Sequence, residues 1–288
     1  MFRAVVSFVA LSAIAGIAAS DALAQATTGR LKAIAASKTI KIAYRIDAAP
    51  FSFVNERNEI TGYTIELCKM IVASLQQQLG GRPIAIQWVQ VTSQNRFDAI
   101  AAGKADLECG SSSATLARMK VVDFSSFVFV ESTGLVVSAN SGSQRLLDLA
   151  GKKIAVVGGT SNEKALAVQI QQSKLNATIV QARDRDAGVA ALQDGVADAF
   201  ASDRLLLVGA QFKYPQALRL LPDDLSTEYY ALVLPQGDWA LRLAVNTALA
   251  RIYRSGQIIK VFEQWFPQVG LRPRLLLDAL YVLGAVPE

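Results

Sequence analysis

The sequence predicts an α/β protein built from two similar units. Strands of β-branched and apolar residues alternate with amphipathic helices over residues 39–109 and again over residues 153–210. A further strand at 229–234 precedes two amphipathic helices, at 239–253 and 257–265. A chain that completes one unit, builds a second and then adds this extension is expected to return to its first unit.

The elements of each unit follow from their apolar periodicity. Ile65, Cys68, Val72 and Leu75, for example, fall on one face of a helix. The tail from residue 270 to 288 has no clear pattern. The expected strands are 39–44, 84–89, 107–109, 153–157, 178–181 and 197–201, and the expected helices are 65–79, 95–102, 163–171, 187–192 and 204–210.

The N-terminal residues predict export. Arg3 precedes an almost uninterrupted apolar run over residues 4–19 and an Ala-Leu-Ala site at 22–24, which is typical of a cleaved signal peptide. A retained membrane anchor is the alternative, but no basic stop-transfer flank follows the run. We therefore expect residues 1–24 to be removed and the mature protein to begin near Gln25.

Composition excludes several classes of function. Removing residues 1–24 takes away Arg3 and Asp21, so 29 basic against 24 acidic residues become 28 against 23, still a net charge of +5. The excess is scattered, and no nucleic-acid partner is expected. The chain contains no histidine, which excludes histidine metal sites and Ser-His-Asp triads. We expect neither a metal ion nor a cofactor.

The two cysteines, Cys68 and Cys109, leave two interpretations open. An even number of cysteines in an exported protein is compatible with a disulfide. Cys68 is expected on the buried face of a helix, and Cys109 at the end of a strand in the same unit. Because spacing does not give the Cα separation, a bridge and two separate buried thiols both remain open.

Polar residues follow the predicted strands. Ligands of open α/β sheets bind beyond the carboxyl ends of the strands, so two such units facing each other would form a ligand cleft. Tyr44, Phe51 and Tyr63 lie near the strand ends of the first unit, and either wall this cleft or pack in the core. The polar residues just after strands are Arg45, Ser93, Arg96, Ser111, Thr160 and Asp203.

The turn after the strand at 107–109 is suited to binding a carboxylate. It carries three serines at 111–113, and Arg118 follows closely. If residues 115–120 are helical, the arginine fork lies beside hydroxyl and backbone N–H donors. The alternative is that Ser113 or Thr115 only caps a short helix and that Arg118 is solvated.

Seven short motifs between residues 44 and 203 carry a resemblance to a known family, and the resemblance as a whole runs from about residue 39 to residue 265. They are Tyr-Arg-Ile-Asp-Ala-Ala-Pro-Phe-Ser (44–52), Gly-Tyr-Thr-Ile-Glu-Leu-Cys (62–68), Thr-Ser-Gln-Asn-Arg (92–96), Leu-Glu-Cys-Gly-Ser-Ser-Ser (107–113), Val-Asp-Phe-Ser (122–125), Gly-Gly-Thr-Ser-Asn-Glu (158–163) and Asp-Ala-Phe-Ala-Ser-Asp (198–203). In this order and spacing the chain resembles the family-3 extracellular solute-binding proteins of bacterial amino acid importers, and among them the glutamate/aspartate-binding branch.

This resemblance implies a type II periplasmic-binding-protein fold. Two α/β lobes would be joined by two hinge crossings, near 133–138 and 229–234, with the ligand in the cleft between them. The implied organisation is a signal peptide at 1–24, lobe one at 25–134, lobe two at 135–230, a return to lobe one at 231–268 and a C-terminal tail at 269–288.

The resemblance also implies how the amino acid backbone is held. Arg118 would bind the α-carboxylate with help from Ser111 and Ser113. The turn at Thr160 and Ser161 would add N–H groups at a helix N-terminus. Asp203 would pair with the α-ammonium, the alternative being that its side chain only caps the next helix.

The side-chain end of the ligand is implied to be acidic. Positions matching Arg45, Ser93 and Arg96 meet the distal carboxylate in the glutamate/aspartate branch, and a neutral ligand would leave the arginines unpaired at about 1–3 kcal/mol each. Arg185 stands where the branch often has histidine. It either contacts the ligand or forms a solvated salt bridge with a neighbouring aspartate.

The expected function is that of a monomeric periplasmic binding protein that closes on glutamate or aspartate and delivers it to a membrane permease. Glutamine, asparagine or another polar amino acid is the alternative ligand. The alternative activity is that of a cyclohexadienyl or arogenate dehydratase of this fold, with Glu163 as the proton donor. Nothing in the sequence indicates the perturbed pKa that such an acid needs, so we do not expect an enzyme.

Overall fold

A computed structural model describes residues 29–214, 216–266 and 275–287. The expected signal peptide at 1–24 lies outside these ranges. Within them, no helix has the length and apolar character that crossing a membrane requires.

Lobe one is organised on a five-stranded sheet in the order β5-β1-β6-β13-β7, with β1 parallel to β5 and β6, and β13 antiparallel to β6 and β7. Its elements are α1 (Gly29–Ser37), β1 (Thr39–Tyr44), β2 (Asp47–Ala48), β3 (Ser52–Val54), β4 (Ile60–Thr61), α2 (Tyr63–Gln78), β5 (Ala85–Gln90), α3 (Arg96–Ala101), β6 (Leu107–Glu108), a 3-10 turn (Arg118–Lys120), β7 (Val122–Glu131), β13 (Glu228–Pro235), α7 (Trp239–Arg254), α8 (Gln257–Trp265) and α9 (Leu275–Gly284).

Lobe two repeats this design with a sheet in the order β10-β9-β11-β8-β12, in which β9 is parallel to both β10 and β11. Its elements are β8 (Thr133–Ser138), a 3-10 turn (Leu146–Leu149), β9 (Lys153–Val157), α4 (Ser161–Gln172), β10 (Thr178–Ala182), α5 (Arg185–Gln193), β11 (Ala199–Asp203), α6 (Arg204–Lys213) and β12 (Leu218–Leu220). The predicted architecture of two α/β lobes is confirmed.

The crossings between the lobes lie slightly earlier in the chain than expected. The chain leaves the first sheet at the end of β7 and enters the second at Thr133, so the first crossing is at Ser132. It returns between β12 and Glu228. The stretches near which the crossings were expected, 133–138 and 229–234, are both strands whose apolar side chains are mostly buried, and the strand at 229–234 agrees with the sequence prediction.

The start of α2 fixes the loop that carries Arg45. Gly62 precedes this helix with a φ of 132°, which only glycine adopts readily. The N–H groups of Tyr63 and Thr64 donate to the carbonyls of Pro50 and Phe51 at 2.9 and 3.0 Å. The loop at 45–51 is therefore anchored on the helix behind it.

Aromatic residues form the centre of lobe one. Phe51 and Tyr63 are fully buried in a cluster with Phe129, Tyr230 and Phe266, with centroids of contacting rings 4.9 to 6.3 Å apart. Phe51 and Tyr63 are thus core residues and do not wall the cleft. The remaining candidate, Tyr44, packs edge-on against Trp88 at 6.0 Å.

The C-terminal tail contains a helix, although its sequence gave no clear pattern. Leu277 and Tyr281 on α9 are buried, and the hydroxyl of Tyr281 lies 2.8 Å from that of Tyr63. The Tyr63 hydroxyl also contacts the carbonyl of Val128 at 2.8 Å. These contacts attach α9 to the core of lobe one.

The structure resolves the question of the cysteines. Cys68 on α2 and Cys109 directly after β6 form a disulfide, with their Cα atoms 6.4 Å apart. Both residues are fully buried. The bridge ties α2 to the strand that leads into the serine turn.

Glu131 introduces a pH dependence at the first crossing. Its carboxylate accepts the N–H of Ser132 at 2.9 Å, and burial, with the charge of Asp203 adding, raises its pKa from 4.5 to about 8. Because the folded pKa is the higher one, this contribution to stability is complete below about pH 4.5 and is lost as pH rises through about 8.

We therefore expect the melting temperature of the wild-type protein to fall from about pH 5 to about pH 9 more steeply than that of Glu131→Gln. Thermal unfolding at several pH values measures this. Glu56→Gln, which removes an exposed carboxylate of the same lobe, is the control and should follow the wild type. Parallel curves for Glu131→Gln and wild type would show that Glu131 does not titrate in this way.

Candidate functional site

The polar strand ends of the two lobes meet directly. The hydroxyl of Ser113 on lobe one lies 3.1 Å from that of Ser161 on lobe two. The side-chain amide of Gln94 donates to the carbonyl of Arg183 across the same interface at 2.6 Å. The predicted cleft between the lobes is therefore lined by the residues that follow the strands.

Arg118 lies on the lobe-one side of this cleft. Its guanidinium donates to the carbonyl of Ser113 at 2.7 Å and lies 4.7 Å from the ring centroid of Phe97. Burial lowers the pKa of Arg118. Arg118 is therefore not merely solvated. Residues 115–120 do not form one continuous helix: Arg118–Lys120 is a single 3-10 turn, and the Thr115 hydroxyl accepts the N–H of Arg118 at 3.2 Å, as the capping alternative expected.

Ser111 supplies a hydroxyl that is buried and has no hydrogen-bond partner among the described residues. Buried hydroxyls are almost always paired. An unpaired one beside a cleft favours a polar ligand at that position.

Thr160 begins α4 and uses its hydroxyl within the protein. The Oγ1 atom accepts the N–H of Glu163 at 3.3 Å and donates to the carbonyl of Val157 at 2.7 Å. The carboxylate of Glu163 in turn accepts the N–H of Gly159 at 2.8 Å and the side-chain amide of Gln181. Thr160 and Glu163 thus hold the turn that presents Ser161 and the N-terminus of α4 to the cleft.

Asp203 is buried in lobe two and points its carboxylate into the same region. It occupies the position before α6, but its side chain makes no capping hydrogen bond, so the capping interpretation is wrong. One oxygen accepts the amide of Asn162 at 3.3 Å and the other accepts Arg185 at 3.1 Å.

Arg96 is buried between serines of lobe one. Its Nε donates to the hydroxyl of Ser112 at 2.8 Å, and its Nη1 donates to the carbonyl of Ser93. Its guanidinium carbon lies 4.4 Å from the ring centroid of Phe97. Burial, and then the charges of Arg118 and Arg45, lower the pKa of Arg96 to about 9, so this region favours an anion.

Arg45 and Arg185 converge from opposite lobes on one carboxylate, that of Asp47. Arg45 donates to it from Nε at 2.8 Å and from Nη2 at 2.7 Å, and Arg185 donates from Nη1 at 3.2 Å. Although burial acts to raise it, Arg185 and Arg45 hold the pKa of Asp47 below its usual range. Arg185 is thus in the cleft, whereas its neighbour Arg183 forms the exposed ion pair with Asp184.

Four further residues near the site were not singled out from the sequence. Asp47 lies on β2, a strand of only two residues, and Phe97 has the pattern of an ordinary apolar residue of a helix. Glu108 is fully buried, and burial raises its pKa although Arg96 acts to lower it. The hydroxyl-bearing side chain of Tyr230 is fully buried, and burial followed by the charge of Asp203 raises its pKa.

Comparison with known proteins places this geometry in a family. Residues 40–268 match the model of the bacterial extracellular solute-binding proteins, family 3. The chain belongs to this family. Among its relatives is the L-glutamate/L-aspartate-binding protein of Pseudomonas aeruginosa, 30% identical over 91% of this chain and 88% of the relative. The glutamate/aspartate import solute-binding protein of Escherichia coli is 29% identical over 90% of this chain and 87% of the relative.

Solved structures of other amino-acid-binding proteins share the fold. A mutant of ArgBP from T. maritima superposes with a TM-score of 0.71 at 25% identity, covering 82% of this chain and 98% of that protein. A cysteine-binding protein from Campylobacter jejuni gives a TM-score of 0.75 at 22% identity, covering 87% of this chain and 98% of that protein. The type II periplasmic-binding-protein fold implied by the sequence motifs is confirmed.

Proposed function

We propose that this protein is the periplasmic binding component of an amino acid ABC importer and that it binds an acidic L-amino acid, glutamate or aspartate, between its lobes. The names of the relatives from Pseudomonas aeruginosa and Escherichia coli support the substrate class. The arrangement of charges in the cleft supports it independently.

The observation that carries the proposal is the number of unpaired guanidiniums. Of the arginines in the cleft, Arg45 and Arg185 form ion pairs with Asp47, and Arg185 also pairs with Asp203. Arg96 and Arg118 have no acidic side chain within ion-pair distance in the described part of the chain. Two unpaired guanidiniums match the two carboxylates of a dicarboxylic amino acid.

The backbone of the amino acid has a complementary set of partners. Arg118 and the Ser111 hydroxyl would bind the α-carboxylate from lobe one, with Ser113, Thr160 and Ser161 beside them. Asp203 would bind the α-ammonium from lobe two. A ligand held by both lobes stabilises the closed form over the open one, and the closed form would be the one that the permease recognises.

A hydrolytic or dehydratase activity is not supported by the position of Glu163. Its carboxylate accepts hydrogen bonds from Gly159 and Gln181 and thereby stabilises the turn before α4. An acid that is used in this way is not presented to a substrate as a proton donor.

Replacing Arg96 tests whether its guanidinium binds the distal carboxylate of the ligand. We expect Arg96→Ala to weaken glutamate binding by about 1–3 kcal/mol more than glutamine binding, because only glutamate has a side-chain carboxylate to leave unpaired. Isothermal titration with both ligands measures the difference. Arg82→Ala, which removes an exposed arginine of the same lobe, should change neither affinity. Equal losses of affinity for the two ligands would show that Arg96 does not bind the distal carboxylate.

A further inference from the structure

We propose that Asp47 is a specificity-determining latch: its carboxylate joins Arg45 of lobe one to Arg185 of lobe two, holds the ligand-free cleft closed, and keeps this arginine pair from adding to the recognition of an acidic side chain. The first part concerns the ligand-free protein alone. The second part rests on the proposed function.

The ion pairs are placed to act between the lobes. Asp47 lies on β2 of lobe one and Arg185 at the start of α5 of lobe two. Besides the contact between their side chains, Arg185 donates to the backbone carbonyl of Asp47 at 3.3 Å. Opening the cleft would break both contacts at once.

These contacts are also shielded from water. The exposed fractions of the side chains are 14% for Arg185, 19% for Asp47 and 1% for Arg45. Solvent screening is weaker for such groups than for a surface pair, so the attraction between Arg185 and Asp47 is stronger than that of an exposed ion pair. The exposed pair between Arg183 and Asp184, by contrast, lies within one lobe and does not resist opening.

The latch also determines which arginines are available to bind the side-chain carboxylate of the ligand. The carboxylate of Asp47 accepts hydrogen bonds from Nε and Nη2 of Arg45. The guanidinium of Arg185 forms ion pairs with both Asp47 and Asp203. The distal carboxylate of the ligand would therefore bind Arg96, whose guanidinium has no acidic partner. It would also meet the negative charge of Asp47, which opposes its binding to Arg45 and Arg185.

Small-angle scattering of ligand-stripped protein tests the latch. We expect Asp47→Asn to have a larger radius of gyration than the wild type, and Arg185→Gln, which breaks the same bridge from lobe two, to show the same increase. Glu56→Gln, with an equal change in charge on the surface of lobe one, should match the wild type. Unchanged radii in folded Asp47→Asn and Arg185→Gln would overturn the latch, whatever ligand the protein binds.

Titration of Asp47→Asn with glutamate and glutamine tests the effect on specificity. Removing the competing carboxylate leaves the arginine pair available, so we expect the preference for glutamate over glutamine to rise about tenfold above that of the wild type. An unchanged or reduced preference would overturn this part. Failure of the wild type to bind either ligand would count against the proposed function and leave the scattering result to decide the latch.

Discussion

Replacing Arg118 with alanine is expected to weaken binding of the acidic amino acid by about 2–5 kcal/mol, which is roughly 30-fold to several thousand-fold in dissociation constant. The loss is large because the ligand carboxylate would then be desolvated without its charged partner. Arg118 also packs on Phe97 and binds the Ser113 carbonyl, so its fork is already held in place before the ligand arrives.

Isothermal titration of Arg118→Ala measures this effect. Arg118→Lys should recover only part of the loss, because lysine keeps the charge but not the two-pronged geometry. Arg82→Ala serves as the control for removing an arginine from lobe one, and its affinity should equal that of the wild type. An affinity of Arg118→Ala within twofold of the wild type would mean that the α-carboxylate is bound elsewhere.

The second large effect concerns stability. The disulfide between Cys68 and Cys109 has a sequence separation of 41 residues, and the chain-entropy model assigns about 4 kcal/mol of stability to a loop of this length. We expect the double variant Cys68→Ala and Cys109→Ala to be less stable than the wild type by about this amount.

Denaturant unfolding of the two proteins provides the comparison. Adding a reductant should destabilise the wild type toward the level of the double variant, and should not affect the variant itself. If the two proteins unfold at the same denaturant concentration without reductant, the bridge does not contribute to stability in the way proposed.

Much of the site could be predicted because parallel strands bring their carboxyl ends together. Arg45, Arg96 and Ser111 follow strands and Asp203 ends β11, and all four are buried in the structure. This reasoning needs only the position of each strand end. It does not need the side-chain partners.

Those partners explain what the sequence did not reveal. Asp47 lies on β2, a strand of two residues that is too short to show periodicity, so its pairing with Arg185 of the other lobe could not be inferred from local pattern. The strand at 107–109 alternates apolar and acidic residues, yet Asp106 and Glu108 are both buried. Their strand is central in the lobe-one sheet, where β1 and β13 flank it, and alternation indicates a solvated face only when one face of a sheet is open to water.

The arrangement of Arg185 shows the same limit. Sequence alone left it equally compatible with the cleft and with a surface ion pair to a neighbouring aspartate. Arg183 is exposed, whereas Arg185, only two residues later, is mostly buried. Arg185 is the first residue of α5, and its side chain contacts Asp203.

The most direct test of the central claim is isothermal titration of ligand-stripped wild-type protein with L-glutamate, L-aspartate, L-glutamine, L-asparagine and a neutral amino acid. Our account predicts that glutamate or aspartate binds with micromolar or tighter affinity, about −8 kcal/mol or better, and that the amides and the neutral amino acid bind more weakly. Tighter binding of an amide or a neutral amino acid would contradict the assignment of Arg96 and Arg118 as the partners of two carboxylates.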